Sequence, residues 1–198
     1  YMTQYRYQRN KNADGEDELA LSLSFSPRQV NATLQSAGLP IWSANRPAVL
    51  VWLVADTIDG RHFVGADAGE GLLVALEAEA NRRGLVLQMP LFDLADSANL
   101  SVGQLWKMSV EDVRTASARY STPFILMGRL SQFSTGQWVG SWAVLQGGES
   151  TQLDSDGAGE AEVLAAPIDY LADMQAATYS VLASAGNSAN TMIHVSGV

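Results

Sequence analysis

The stretch Ala37-Gly38-Leu39-Pro40-Ile41-Trp42-Ser43-Ala44-Asn45-Arg46-Pro47 runs directly into Ala48-Val49-Leu50-Val51-Trp52-Leu53-Val54. Gly38 suits the left-handed position that ends a helix. Pro40 and Pro47 each push the preceding residue towards an extended backbone. From Ala48 to Ala55 the chain is apolar without alternation, as in a central strand covered on both faces. Helix end, extended connection and buried strand together set an α/β plan, yet the stretch carries no chemistry of its own.

Upstream, Tyr1 to Gln8 alternates aromatic and polar residues, the pattern of an arm or edge strand, and Asn10 to Glu18 is a polar, acidic turn or loop. Leu19, Leu21, Leu23 and Phe25 alternate with small residues, which predicts a half-buried strand. Ser26-Pro27 opens a helix to about Ala37, with Val30, Leu34 and Ala37 on one face.

Downstream, Asp56 to Asp67 is a connection that can fold as a small hairpin at Asp59-Gly60. A helix is expected from Gly69 to Arg83, then a strand from Leu85 to Met89. Ser101 and Ser109 are N-caps for helices through Trp106 and to about Tyr120. Strands follow at Pro123–Leu130, Gln137–Leu145 and around Thr151–Leu153, and Ser155 to Glu160 reads as a flexible acidic loop. A last helix is expected from Pro167 to about Ala183, and Thr191 to Val195 alternates again. The fold class is therefore α/β: a mixed sheet with parallel β-α-β units followed by an antiparallel meander, helices packed on the sheet. The expected organisation is an arm or linker at 1–18, the α/β domain at 19–184, and a linker with the start of a further segment at 185–198.

The 198 residues are 47% hydrophobic and 17% charged, enough for a sizeable core. A net charge of −9 argues against nucleic acid and against docking on anionic lipid. With no cysteine there is no disulfide, thiolate metal site or cysteine nucleophile. No apolar run is long enough for a membrane span. The first residue is Tyr1, which suits a mature or trimmed fragment.

No motif assembles a cofactor, metal or catalytic site. Gly65, Gly69 and Gly71 precede a helix, but their spacing matches no phosphate loop and Asp67 and Glu70 would repel phosphate. Asp154-Ser155-Asp156-Gly157 opens like a calcium loop without its later acids, and Asp14 to Glu18 is a weaker version. His62 and His194 lack zinc spacing, and there is no GxSxG elbow for a serine nucleophile. The tryptophans remain. Trp138 and Trp142 share one face of a predicted strand, where they are core if covered, the favoured alternative, and an adhesive patch if exposed. Trp42 and Trp52 read as core, and Trp106 fits either role.

Phe25-Ser26-Pro27, Val30-Asn31, Ala37-Gly38-Leu39-Pro40-Ile41-Trp42, Asn45-Arg46-Pro47 and Leu50-Val51-Trp52-Leu53 form a recognisable pattern. With Tyr5-Arg6-Tyr7, Gly65-Ala66-Asp67, Arg119-Tyr120, Met127-Gly128-Arg129-Leu130 and Trp138 to Leu145, it resembles an uncharacterised family of proteobacterial secreted or periplasmic proteins, usually labelled a domain of unknown function. The resemblance implies a periplasmic location, flanking segments on both sides of this portion, and no catalytic residues to transfer. The strand order is similar to the amino-terminal domain of TolB and related envelope lipoproteins, such as activators of penicillin-binding proteins, at the level of fold alone.

The leading expectation is a non-catalytic protein-interaction or scaffold domain of a cell-envelope protein. Its partner would be another envelope protein, with no cofactor, and Trp138, Trp142, Trp106 and Arg46 are the candidate contacts. Capping nearby carbonyls is the competing role for Arg46. The rival is a small-molecule-binding or enzymatic domain with a site beyond the carboxyl ends of the parallel strands, near Asp56, His62, Asp67 and Asp93. A third reading is a structural spacer between flanking domains.

Overall fold

A computed structural model describes residues 1–11, 17–66 and 71–182. In chain order the elements are β1 (Met2–Lys11), β2 (Asp17–Phe25), α1 (Pro27–Ser36), β3 (Ile41–Trp42), β4 (Ala48–Thr57), β5 (Gly60–Phe63), α2 (Gly71–Arg83) and β6 (Val86–Gln88). They continue with α3 (Leu94–Asn99), α4 (Val102–Trp106), α5 (Val110–Ser117), β7 (Phe124–Gln132), β8 (Trp138–Gln146), β9 (Glu149–Gly157), α6 (Glu160–Tyr179) and β10 (Ser180–Val181). The chain divides into two compact units, one formed by Tyr1–Ser43 with the segment from Tyr179, the other by Ala44–Thr178.

The larger unit is a mixed α/β layer. Its six-stranded sheet runs β5-β4-β7-β8-β9, with β6 also on β4. β4 is parallel to β6 and β7, while β5, β8 and β9 join antiparallel to their neighbours. The parallel units and the meander expected from the sequence are both present. The side chains of β4 alternate between two cores. Leu50, Trp52 and Val54 meet Leu100, just past the end of α3, and Leu105, Val113 and Ala116 from α4 and α5. On the other face Trp142 of β8 donates its indole N–H to Ser155 Oγ at 2.7 Å, and that hydroxyl donates to the α6 carbonyl of Val163 at 2.6 Å. The first face repeats the device: Trp52 donates to Ser117 Oγ at 2.9 Å, and Ser117 donates to Val113 O at 2.6 Å. A buried indole needs an acceptor, and one serine bridges each ring to a helix.

Two expectations change here. Residues 155–157 belong to β9 rather than to a flexible acidic loop. Gly157 makes this possible, since a Cβ there would lie 2.8 Å from Val163 N and 2.5 Å from Glu162 Cβ. The last helix begins at Glu160, so Pro167 lies inside it. The proline costs about 3 kcal/mol in a helix interior. Val163, Leu164, Ile168 and Leu171 are fully buried around it. Each such burial returns about 1.5–3 kcal/mol, so packing wins.

The smaller unit is built differently. β1 and β2 form an antiparallel hairpin, and β10 pairs with β3 through Ser180↔Trp42 and Val181↔Ile41. Ser26 caps α1, accepting from Gln29 N, and Gly38 takes φ +68 at its end, as the sequence predicts. The strand at 19–25 lies outside the six-stranded sheet and, among the described residues, pairs only with β1, so it opens no parallel crossover onto β4. Among the described residues of this unit none is buried. Asp67, Gly69 and Glu70, Asp14, the alternation at Thr191–Val195 and His194 lie outside the described residues.

Candidate interaction surface

The hairpin follows from two alternating stretches separated by the polar residues 12–16. Its register sets Tyr5 opposite Leu23, Tyr7 opposite Leu21, Arg9 opposite Leu19 and Met2 opposite Phe25. Cross-strand partners share a face. One side of the ribbon therefore carries Met2, Tyr5, Tyr7, Leu19, Leu21, Leu23 and Phe25, ending towards the turn in Arg9, Lys11 and Asp17. The other carries Gln4, Arg6, Gln8, Ser22 and Ser24. Tyr5 and Tyr7 lie edge to face at 6.0 Å and 76°. The apolar side chains are 43–63 % exposed, so the expectation of a half-buried strand at 19–25 gives way to an open apolar face. Seven side chains of this size present on the order of 800 Å², above the roughly 300–600 Å² of the largest apolar patch on a typical monomer.

Charge separates the units as sharply as burial does. Residues 1–43 hold four cations (Arg6, Arg9, Lys11, Arg28) and four acids (Asp14, Glu16, Asp17, Glu18), a net charge of zero. No Lys, Arg, Asp or Glu follows residue 178, so the whole −9 of the chain falls in 44–178.

The contacts expected from sequence lie elsewhere. Trp138 and Trp142 are 3 % and 1 % exposed, so the core alternative holds and they form no adhesive patch. Trp106 is half-buried at the margin of the α3–α5 core, with the Arg61 guanidinium 3.6 Å and that of Arg129 5.8 Å from its ring centre. Arg61 also pairs with Asp56 at 2.7 Å. Arg46 donates to the carbonyls of Arg83, at 3.0 Å, and Gly84, closing the end of α2 in the capping role. The structure gathers none of these four into one surface.

The acids of the rival reading do not converge either. Asp56 is engaged by Arg61, and His62 Nδ1 lies 3.1 Å from Gly60 O. Asp93 caps α3, accepting from Asp96 N at 2.9 Å, and forms a two-pronged pair with Arg119 at 2.7 and 2.9 Å. The Arg119 hydrogen bonds, then that backbone N–H, hold the Asp93 carboxyl down at about 2. A cavity of ≈ 230 Å³ does open nearby, lined by Trp52, Phe63, Phe92, Asp96, Ser97 and Leu100 among others, but not by Asp56, His62 or Asp93. Its carboxylate, Asp96, is 2 % exposed and accepts three hydrogen bonds from within the protein: from Phe92 N at 2.9 Å, from Arg119 at 3.1 Å and from the Tyr120 hydroxyl. Burial first, then that bond to Asp96, raises the Tyr120 phenol. The cluster locks α3 to the end of α5.

Comparison with known proteins bears on the hairpin directly. Residues 1–43 match a family described as a domain of unknown function, DUF8605. The matched residues contain the whole ribbon and α1. Two solved structures show a remote likeness at 15% identity. One is the LpoB C-terminal domain from Salmonella enterica, with a TM-score of 0.38 over 65% of this chain and 91% of that one. The other is a competence-damaged protein (CinA) superfamily protein from Enterobacter cloacae, with a TM-score of 0.32 over 77% of this chain and 89% of that one. No curated protein matches the sequence.

Proposed function

We propose that this chain is a non-catalytic protein-interaction or scaffold domain of a bacterial cell-envelope protein, and that the apolar face of β1–β2 is its contact surface. The observation that carries the reading is the exposure of Tyr5, Tyr7, Leu19, Leu21 and Leu23 on one side of a two-stranded ribbon. An isolated hairpin is marginal in water, and a patch of this size marks a place where another surface belongs. The envelope location rests on the secreted-family pattern at Leu21–Leu53. A photo-crosslinking side chain placed at Tyr7 or Leu21 of the parent protein in cells should yield protein adducts, and the same group at Gln8 or Ser22 should not. Equal labelling from both faces, or none from either, sinks the reading.

The cavity beside Asp96 favours one alternative, a small-molecule site. Filling it with Ser97→Trp should then abolish the parent protein's activity in cells while Tyr7→Ser leaves it intact. The opposite pattern supports the interaction surface.

A further inference from the structure

We infer that the occupant of the β1–β2 face is a second copy of this chain, packed face to face about a two-fold axis parallel to the strands. The inference rests on the face being a protein contact surface and goes on to say which protein covers it. Three features carry it.

The first is area. Seven exposed apolar side chains offer on the order of 800 Å² per copy, which matches the roughly 800 Å² per partner of a standard-size interface. The second is shape. A two-fold axis along the strands lays β1 of one copy over β2 of the other, at the same level along the ribbon. The register then sets Tyr5 above the partner's Leu23 and Tyr7 above the partner's Leu21, with the same two contacts repeated by symmetry. Large flat rings meet smaller branched side chains across a gap of about 10 Å, the spacing of packed sheets. The third is charge. In this arrangement Lys11 lies over the partner's Asp17 on both sides of the axis, because the two are register partners within one ribbon. Opposite signs therefore meet at the rim, Arg9 lies just inside it over the partner's Leu19, and the centre around Tyr5, Tyr7, Leu21 and Leu23 carries no charge. Residues 1–43 have no net charge to oppose the contact, whereas the −9 of 44–178 keeps the assembly soluble.

The chain mass is 21.2 kDa, and sedimentation should show twice that mass with a concentration-dependent return to monomer. Leu21→Lys should weaken association at least tenfold while the fluorescence of the buried tryptophans stays unchanged. The sequence has no cysteine, so a single one reports cleanly. Leu21→Cys should be joined between copies by a short bis-maleimide and Ser22→Cys should not, a readout that stands even if Leu21→Lys disturbs the hairpin. A dimer that survives Leu21→Lys, or equal cross-linking from both faces, overturns the inference. A wild-type monomer at every concentration overturns it as well, and a hydrophobic dye then separates the cases. Dye bound by wild type but not by Leu21→Lys leaves the face open for a different protein, so the contact-surface reading survives. Dye bound by neither means the face is shielded within one molecule, and both readings fall.

Discussion

Two strands of nearly equal length, β2 and β4, meet opposite fates. In β4 every residue from Val49 to Ala55 is fully buried. In β2 the apolar residues Leu19, Leu21, Leu23 and Phe25 are all 43–63 % exposed. Their patterns already differ, unbroken in β4 and alternating in β2, but it is the neighbours that decide whether the apolar side chains are covered. β4 has strands on both edges and helices over its faces, whereas among the described residues β2 pairs with β1 alone. An apolar strand inside a layered unit supplies stability. The same kind of strand on a two-stranded ribbon supplies a surface. The hairpin's apolar face is left open where that of β4 is covered.

The contrast can be broken most forcefully at Trp52. Trp52→Ala removes a fully buried ring and strips Ser117 Oγ of its indole donor, which should cost about 3–5 kcal/mol in urea unfolding followed by tryptophan fluorescence. Tyr7→Ala, on the open face, should move the same transition by less than about 0.5 kcal/mol in dilute monomer, as exposed substitutions do. Similar losses from both would mean that the hairpin and the larger unit share one cooperative core. The comparison would then be false.

Adding atoms sharpens it further. At Gly128 a Cβ would run into the ring of Trp142 and approach Leu53 Cδ1 to 3.0 Å. Neither the strand nor the ring has room to yield, so Gly128→Ala should cost about 1–3 kcal/mol by overpacking. On the hairpin Ser22→Val adds comparable bulk to an exposed polar face and should stay within about 0.5 kcal/mol. Thermal unfolding of the two variants beside wild type checks the pair. A neutral Gly128→Ala would show that the β8 core is looser than its burial implies.

These effects bear on what the residues reveal unaided. The unbroken run Ala48–Ala55 is legible as a central strand because nothing but two covered faces satisfies it. The caps at Ser26, Ser101 and Ser109 are equally local, and all three hydroxyls accept the expected backbone N–H. The contact surface is harder to see. Period two at Leu19–Phe25 says that one face is apolar, but the same pattern serves a half-buried strand and an open one. Two alternating stretches flanking a loop that contains Asp14-Gly15 were the available hairpin signal. Tyr1–Gln8 reads as an arm when taken alone, and only register shows its tyrosines aligned with the leucines. The tryptophans of the sheet are legible as core, as Trp52, Trp138 and Trp142 prove to be. What no local pattern shows is how two of them are satisfied, since the N–H groups of Trp52 and Trp142 go to serines distant in sequence, Ser117 and Ser155. Pro167 does mislead, since its helix-breaking character is overruled by burial that no window of sequence contains.

The smallest expected effect separates the regions by acid. Asp93 lies in the larger unit, tied to Arg119 and to the start of α3. Its folded value of about 2 is below the ordinary 3.8. A lowered carboxyl stabilises the fold above its unfolded value, so this contribution is complete above pH 3.8 and is lost as pH falls through about 2. Both partners are well exposed, so solvent screening keeps the effect modest. The central hairpin side chains Tyr5, Tyr7, Leu19, Leu21 and Leu23 carry no carboxyl group. Urea midpoints of wild type and Asp93→Asn, followed by tryptophan fluorescence across that window, provide the measurement. The variant should begin slightly less stable at neutral pH and fall less steeply with acid, because its amide has no proton to gain. If both curves fall in parallel, the Arg119 pair contributes nothing to folding, and the hold of α3 comes from the buried Asp96 alone.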